Sequence, residues 1–288
     1  SISAAQTICE GATPAAFTAV APTGDGVYTF QWQDSPDGIT FSDIGGATLA
    51  TYAPGALTAD RWYKRKVTST LNTIPCTEET NLVKVTVNNF IPGSISADET
   101  ICEGTAPAPF PSVSPTGDGT FTFQWRSSAD GITFANIVGA VSETYNAGIL
   151  SADTWYLRQV TSTLSGNSCM EETNTIKVTV NNFIPGSISA NQTICEGAIP
   201  AALTSVTPTG DGTYTYQWKE STDGTVFTDI AGAIFETFAP PALTQDMWYK
   251  RAVTSTLSGT PCTEETNSVR ITVNNFVPGS IGSDQPIC

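Results

Sequence analysis

The sequence predicts an all-β chain: a string of three small two-sheet sandwich domains. A strict internal period, the lack of helix signals, and short segments that alternate apolar and polar residues between turns all point there. Cys9, Cys102, Cys195 and Cys288 are each 93 residues apart, and so are Cys76, Cys169 and Cys262. Trp32, Trp125 and Trp218 keep the same step, as do Trp62, Trp155 and Trp248. The copies align without a gap. A period this long exceeds the solenoid and propeller repeats and matches one small β-domain. The expected domains are 1–93, 94–186 and 187–279, and 280–288 begins a fourth copy. The links around Pro92-Gly93 and Pro185-Gly186 are short and proline-containing, hence stiff.

Each element of the first copy can be justified in order. SIS (1–3) and AFTAVAP (16–22) can supply the first two strands. VYTFQWQ (27–33) alternates with period two, placing Tyr28, Phe30 and Trp32 on one face. SPDG (35–38) is a hairpin turn into ITFSDI (39–44), because proline presets φ and glycine accepts positive φ. LATYAP (49–54) is a further short strand. RWYKRKVTST (61–70) puts Tyr63, Arg65 and Val67 on one face and Trp62, Lys64 and Lys66 on the other. LVKVTV (82–87) turns Val83, Val85 and Val87 inward. About seven strands in some 90 residues fit an immunoglobulin-like sandwich. The cysteine that usually follows the strand-F tyrosine is replaced by Arg65, Arg158 and Arg251, so the B–F disulfide of antibody domains is absent.

Composition excludes several functions. Apolar residues make up 40% of the chain, enough for folded cores, and the net charge of −15 disfavours nucleic acid and anionic membrane as partners. There is no histidine, which removes histidine-based triads, histidine-ligated zinc and histidine pH switches. No apolar run is long enough to span a bilayer as a helix. The start at Ser1 and the stop inside a repeat suggest a window on a longer, open-ended array.

Two regular cysteine pairings are conceivable. One closes each domain: Cys9–Cys76, Cys102–Cys169 and Cys195–Cys262, with Cys288 bonding an unseen repeat. The other bridges neighbours, Cys76–Cys102 and its equivalents. With Cys9 after the first strand and Cys76 before the last, both near one pole, the intradomain set is expected, worth about 4 kcal/mol per domain by loop closure. Disulfides imply an oxidising compartment.

Catalytic signals are weak. Glu78-Glu79, Glu171-Glu172 and Glu264-Glu265 are adjacent on a strand, so their carboxylates point to opposite faces. Asp25, Asp118 and Asp211 in the PTGDG turns lack the ligand run of a calcium loop, so no cofactor is expected, with calcium a remote alternative. No lysine holds one position in all copies, which argues against Lys–Asn isopeptide bonds. Arg65 and its equivalents are expected to snorkel or to pair with a carboxylate such as Asp60. Trp62, Trp155 and Trp248 are candidate contact residues, able to stack on a sugar or on a neighbouring chain unless a loop covers them. Phe90, Phe183 and Phe276 follow the last strand of each copy and are expected to pack against the next domain, giving an elongated chain.

In copy three the order QTICEG, TYTYQW, STDG, TDIAGA, Trp248-Tyr249-Lys250-Arg251 and Cys262 resembles the Ig-like repeats of very large Bacteroidota cell-surface proteins, including gliding-type adhesins. The resemblance covers all three copies. It implies a cell-surface protein exported across a bacterial outer membrane, through the type IX system, and acting as a stalk or fibre. Partners would be neighbouring domains, other copies in a fibre, or a surface glycan. A carbohydrate- or ligand-binding array using exposed tryptophan is the alternative, and an enzyme is not expected.

Overall fold

The computed structural model describes residues 1–282, all β-strand, turn and loop, with no helix among them. The first repeat holds β1 (Gln6–Cys9), β2 (Val27–Ser35), β3 (Ser42–Asp43), β4 (Arg61–Leu71), β5 (Ile74–Glu79) and β6 (Val83–Asn88). The second holds β7 (Phe90–Ile91), β8 (Ser94–Ile95), β9 (Glu99–Cys102), β10 (Ser112–Val113), β11 (Thr116–Gly117), β12 (Thr120–Ser128), β13 (Ala135–Asn136), β14 (Thr154–Leu164), β15 (Asn167–Glu172) and β16 (Ile176–Asn181). The third repeats this with β17 (Phe183–Ile184), β18 (Ser187–Ile188), β19 (Gln192–Cys195), β20 (Ser205–Val206), β21 (Thr209–Gly210), β22 (Thr213–Ser221), β23 (Thr228–Asp229), β24 (Met247–Leu257), β25 (Thr260–Glu265) and β26 (Val269–Asn274).

The chain forms two compact units. One joins Ser1–Ala97 with Pro109–Asn146 and Trp155–Ile176; the other joins Asp98–Ala108 and Ala147–Thr154 with the chain from Lys177 onward. In the first unit the main sheet of repeat one runs β1-β6-β4-β2-β3, with β5 as the hairpin partner of β4. In the second, repeat three has the same order, β19-β26-β24-β22-β23, with β25 on β24. The opposing layer is sparse. The expected strand 49–54 is reduced to a bridge between Phe17 and Tyr52, and 1–3 to a bridge between Ile2 and Ala19.

The alternation read along 27–33 and 82–87 places the core correctly. Trp32 is fully buried, and Val83, Val85 and Val87 are nearly so. Phe17 stacks on Trp32 at 5.7 Å and meets Tyr63 at a tilt at 4.9 Å, by ring centroids. The Trp32 indole donates to the Leu49 carbonyl at 2.9 Å, which satisfies its one polar atom. In repeat three Leu203 replaces the phenylalanine, and Trp218 keeps full burial and a bond to the Phe235 carbonyl.

The expected intradomain disulfides Cys9–Cys76, Cys102–Cys169 and Cys195–Cys262 do not form. The bonds are Cys9–Cys169 and Cys102–Cys262, each spanning 160 residues and joining one repeat to the next. Strand direction is the reason. β1 pairs with β6 in parallel, so Cys9 lies level with Asn88, where the chain leaves the domain. Cys76 sits on β5 opposite Ser69, whereas β6 meets β4 at Arg61–Tyr63. Arg61 is level with Val85, three positions short of Asn88, and Ser69 lies eight residues further the other way, so the two cysteines are separated along the sheet by roughly 36 Å. That is far beyond the ~7 Å Cα limit of a disulfide. Cys76 and Cys195 are free and exposed, and Cys288 lies outside the described residues.

Candidate functional site

The candidate site is the joint at which one repeat enters the next, and it occurs twice, once in each unit. In the first unit the chain leaves β6 through Asn88 and Asn89, and Phe90 and Ile91 then pair antiparallel with Gly117 and Thr116. Phe90 is only 8% exposed and packs with Val160, Phe121, Phe123 and the Cys9–Cys169 sulfurs. The face of β12 that begins in the core at Trp125 thus ends as the floor of the joint, because period-two alternation puts Phe121, Phe123 and Trp125 on one side.

Polar groups lock the joint beside the phenylalanine. Asn88, 1% exposed, donates from Nδ2 to the Ser162 carbonyl at 3.1 Å. The buried Ser162 hydroxyl lies 2.9 Å from Asn88 Oδ1 and 2.6 Å from the Asp118 carbonyl, so one proton is shared between two acceptors. The Asp118 backbone N–H donates to the Asn89 carbonyl at 2.9 Å. Asn167 Nδ2 also donates to the Thr7 carbonyl. The PTGDG loop is therefore the receptor of the joint, a role its composition did not announce. Gly117 has φ +117°, and a Cβ there would meet the Asn89 carbonyl oxygen at 2.4 Å.

The second unit repeats the arrangement. Phe183, 8% exposed, packs with Val253, Tyr214, Tyr216 and the Cys102–Cys262 sulfurs. Asn181 Nδ2 donates to the Ser255 carbonyl at 3.1 Å, and Asp211 N–H to the Asn182 carbonyl at 2.9 Å.

The strand-F arginines correct the expected carboxylate pairing. Arg65, Arg158 and Arg251 are at most 2% exposed and donate to backbone carbonyls instead. Arg158 reaches the carbonyls of Glu143 (2.8 Å), Val113 (3.1 Å) and, in the linker, Pro92 (3.0 Å). Arg251 likewise reaches Glu236 (2.7 Å) and linker Pro185 (3.2 Å). Arg65 reaches Ala50 at 2.7 Å and lies 4.5 Å over the Phe30 ring. Burial pushes all three guanidinium pKa values down. Asp60 is taken by Lys84 at 2.6 Å and by the Val87 N–H at 2.8 Å.

Trp62, Trp155 and Trp248 are half-buried. A Cβ on Gly38, Gly131 or Gly224 would lie 3.0–3.1 Å from the respective indole nitrogen, so the hairpin turn of the same repeat sits on each ring. Lys84 and Arg270 each lie 4.9 Å over Trp62 and Trp248. A sugar would have to displace these neighbours. Of the acidic pairs, Glu79 bonds Lys64 at 2.7 Å, Glu172 bonds Arg126, and Glu265 bonds Lys250 and Lys219. Glu78, Glu171 and Glu264 point to the other face of the strand. Among the described residues no group of three or more acidic or cysteine side chains is arranged to hold a metal, and no helix is long and apolar enough to cross a membrane.

One family model matches three times, over residues 1–89, 91–182 and 184–275. The chain belongs to the family described as a domain of unknown function, DUF8696. Among the curated proteins none matches. Solved structures with similar folds include the N-terminal four Ig domains of Dscam1 isoform 6.9, at 15% identity over 94% of this chain and 71% of that one, TM-score 0.31. A three-domain piece of titin matches at 10% identity over 94% and 96%, TM-score 0.33. The insect immune protein hemolin matches at 10% identity over 95% and 76%, TM-score 0.33. The DUF8696 repeats of this chain are immunoglobulin-like sandwiches by their own strand order and core.

Proposed function

We propose that this chain is a structural segment of a secreted cell-surface protein, a stalk or fibre region whose task is to transmit force and set spacing. The observation that carries this reading is the repeated joint: the same phenylalanine, asparagine and disulfide fasten each repeat to its successor. Disulfides persist outside reducing compartments, which supports an extracellular location. Export across a bacterial outer membrane and an adhesive role at the far end belong to the same reading and rest on the family resemblance.

The two disulfides overlap in sequence, and this gives the test. In the oxidised chain the shortest covalent route crosses from Cys9 to Cys169, returns along the chain to Cys102, crosses to Cys262 and continues. Pulled end to end by force spectroscopy, the oxidised chain should therefore stop far short of the length of 288 extended residues. Cys9→Ser or Cys102→Ser alone should add a modest length, because the other bridge still bypasses 160 residues. The double variant should add a much larger one. Equal extension for all four samples would sink the mechanical reading. Labelling of intact cells with an antibody to the chain checks the location.

A further inference from the structure

The two joint disulfides present their sulfurs unequally. Cys169 and Cys262 are 5% and 3% exposed, whereas their partners Cys9 and Cys102 are half-buried. Packing explains the difference. Cys169 sits opposite Ser162 on the β14–β15 hairpin, in the cluster that holds Phe90 and Val160. Cys9 ends β1, at the edge of its sheet, and the turn at Glu10-Gly11 follows it. Cys262 is buried in the same way with Phe183 and Val253, and Cys102 ends β9. The asymmetry recurs in both joints and is therefore a property of the joint.

Negative charge surrounds the reachable sulfur. A small cavity of about 90 Å³ beside the first disulfide is lined by Cys9, Cys169, Phe90, Met170, Glu10 and Glu171. Glu171 faces it because alternate residues of a strand share a face, and Cys169 is its alternate neighbour on β15. The adjacent Glu172 is on the other face, held by Arg126. Glu103 and Glu264 take the corresponding positions beside Cys102 and Cys262. All four glutamates, Glu10, Glu171, Glu103 and Glu264, are exposed. Among the described residues neither lysine nor arginine lines the cavity. Arg158, on the Val160 face of β14, is buried with its guanidinium on backbone carbonyls.

We propose that Cys9 and Cys102 are thiol-modification sites: each takes a small uncharged or cationic thiol as a mixed disulfide, releasing Cys169 or Cys262, while the flanking glutamates turn anionic thiols away. This goes beyond the stalk reading and does not rest on it, since it concerns attack at sulfur and not force or location. Exchange needs a thiolate to reach one sulfur of the pair, so access decides which sulfur reacts. The thiolate of the incoming molecule attacks Cys9 Sγ and forms a new sulfur–sulfur bond. The Cys9–Cys169 bond breaks, and its electron pair leaves on Cys169 Sγ, which takes a proton from water. The attacking sulfur is oxidised and Cys169 is reduced, so no further oxidant or reductant is consumed. Cys169 departs into an apolar setting that disfavours a thiolate, which makes the joint slow to open. An approaching anion also meets Glu10 and Glu171, a repulsion that salt screens.

The test uses the oxidised 288-residue chain with Cys76→Ser, Cys195→Ser and Cys288→Ser, so that only the two bridges react. Cysteamine, which carries an ammonium, is compared with glutathione, which is anionic. Samples are quenched in acid at low conversion, alkylated and mapped by mass spectrometry. The thiol adduct should sit on Cys9 and Cys102, and the alkyl group on Cys169 and Cys262. Each rate is divided by that of the same thiol with a small uncharged disulfide. Cysteamine should then lead glutathione by about tenfold or more at about 0.01 M salt, and by under about threefold at about 1 M. Glu10→Gln with Glu171→Gln should cut that lead by about threefold at Cys9 and leave it intact at Cys102, which serves as a control within the same molecule. Adducts equally or mainly on Cys169 and Cys262 would overturn the proposal. So would bridges that react only after denaturation, or a lead that the glutamate variants leave unchanged at Cys9 or change equally at both joints. None of these readouts depends on the force measurement or on cell-surface labelling, so either proposal can fail without the other.

Discussion

Arg158 shows what a single residue does in this fold. A buried guanidinium with no acid bonded to it is stable because its charge is met by three carbonyls and by an aromatic face, with Phe123 at 5.0 Å, and the Glu143 carboxylate adds attraction without a direct bond. One of the three carbonyls belongs to the linker, so the residue couples the second repeat's core to the chain that enters it. Lysine keeps the charge but not the planar fork. Arg158→Lys should lower unfolding stability by about 1.5–3 kcal/mol, the worth of one charge-assisted hydrogen bond, read by denaturant melts. A second residue-scale effect is acid sensitivity. The Asp37 carboxylate accepts from the Thr40 and Ile39 N–H groups and from Ser35, which lowers its pKa to about 2. Asp130 is held at about 2 by Thr133, Ser128 and Ile132, and Asp223 is lowered in the same way. A folded pKa below the unfolded one gives stability that is complete above about pH 4 and lost as pH falls toward 2. Melting temperature should decline across that window, and Asp37→Asn should flatten part of the decline.

At the scale of elements the joint loop and the β14–β15 hairpin decide how repeats connect, and they mark where the sequence could be read and where it could not. Phe90 and Phe183 pack as the expectation for a large apolar side chain beyond a final strand has it, whereas Phe276, expected to do the same, is 76% exposed. The buried faces of 27–33 and 82–87 were legible from period two. The disulfide partners were not, because the pairing depends on whether β1 runs parallel or antiparallel to β6, and four residues of strand carry no sign of direction. Nor was PTGDG legible as a receptor: its glycines read as an ordinary turn, and only the approach of Asn89 shows why position 117 tolerates no side chain. Gly117→Ala combines positive φ with a backbone clash, whereas Gly46→Ala at φ +76° meets nothing within 4 Å. The former should cost clearly more than the roughly 1 kcal/mol expected of the latter. Thermal melts of the two variants check this, and equal losses would show that the joint yields without resistance.

For the whole molecule the governing quantity is charge. Lys and Arg number 12 against 27 Asp and Glu, a net −15 with an isoelectric point near 4.2. Basic residues are largely spent within their own repeat, Lys64 on Glu79, Lys84 on Asp60 and Lys250 on Glu265, so neighbouring chains meet a net negative charge. Against it stand single exposed apolar residues such as Ile39, Ile132 and Val226 next to the hairpin turns, each at least 70% exposed. Isolated side chains of this kind do not make a patch large enough to drive association on their own. Repulsion between exposed charges acts over about 10 Å at 0.1 M salt and about 30 Å at 0.01 M. With Cys76, Cys195 and Cys288 replaced by serine, so that no thiol-linked growth intervenes, the chain should stay dispersed at pH 7 and low salt. Association should rise as pH approaches 4.2 or when divalent cations bridge the carboxylates. Light scattering across pH and ionic strength measures this. Particles that grow at pH 7 in 0.01 M salt without divalent ions would show that specific side-by-side contacts outweigh the charge, and their salt dependence would tell whether those contacts are themselves ionic.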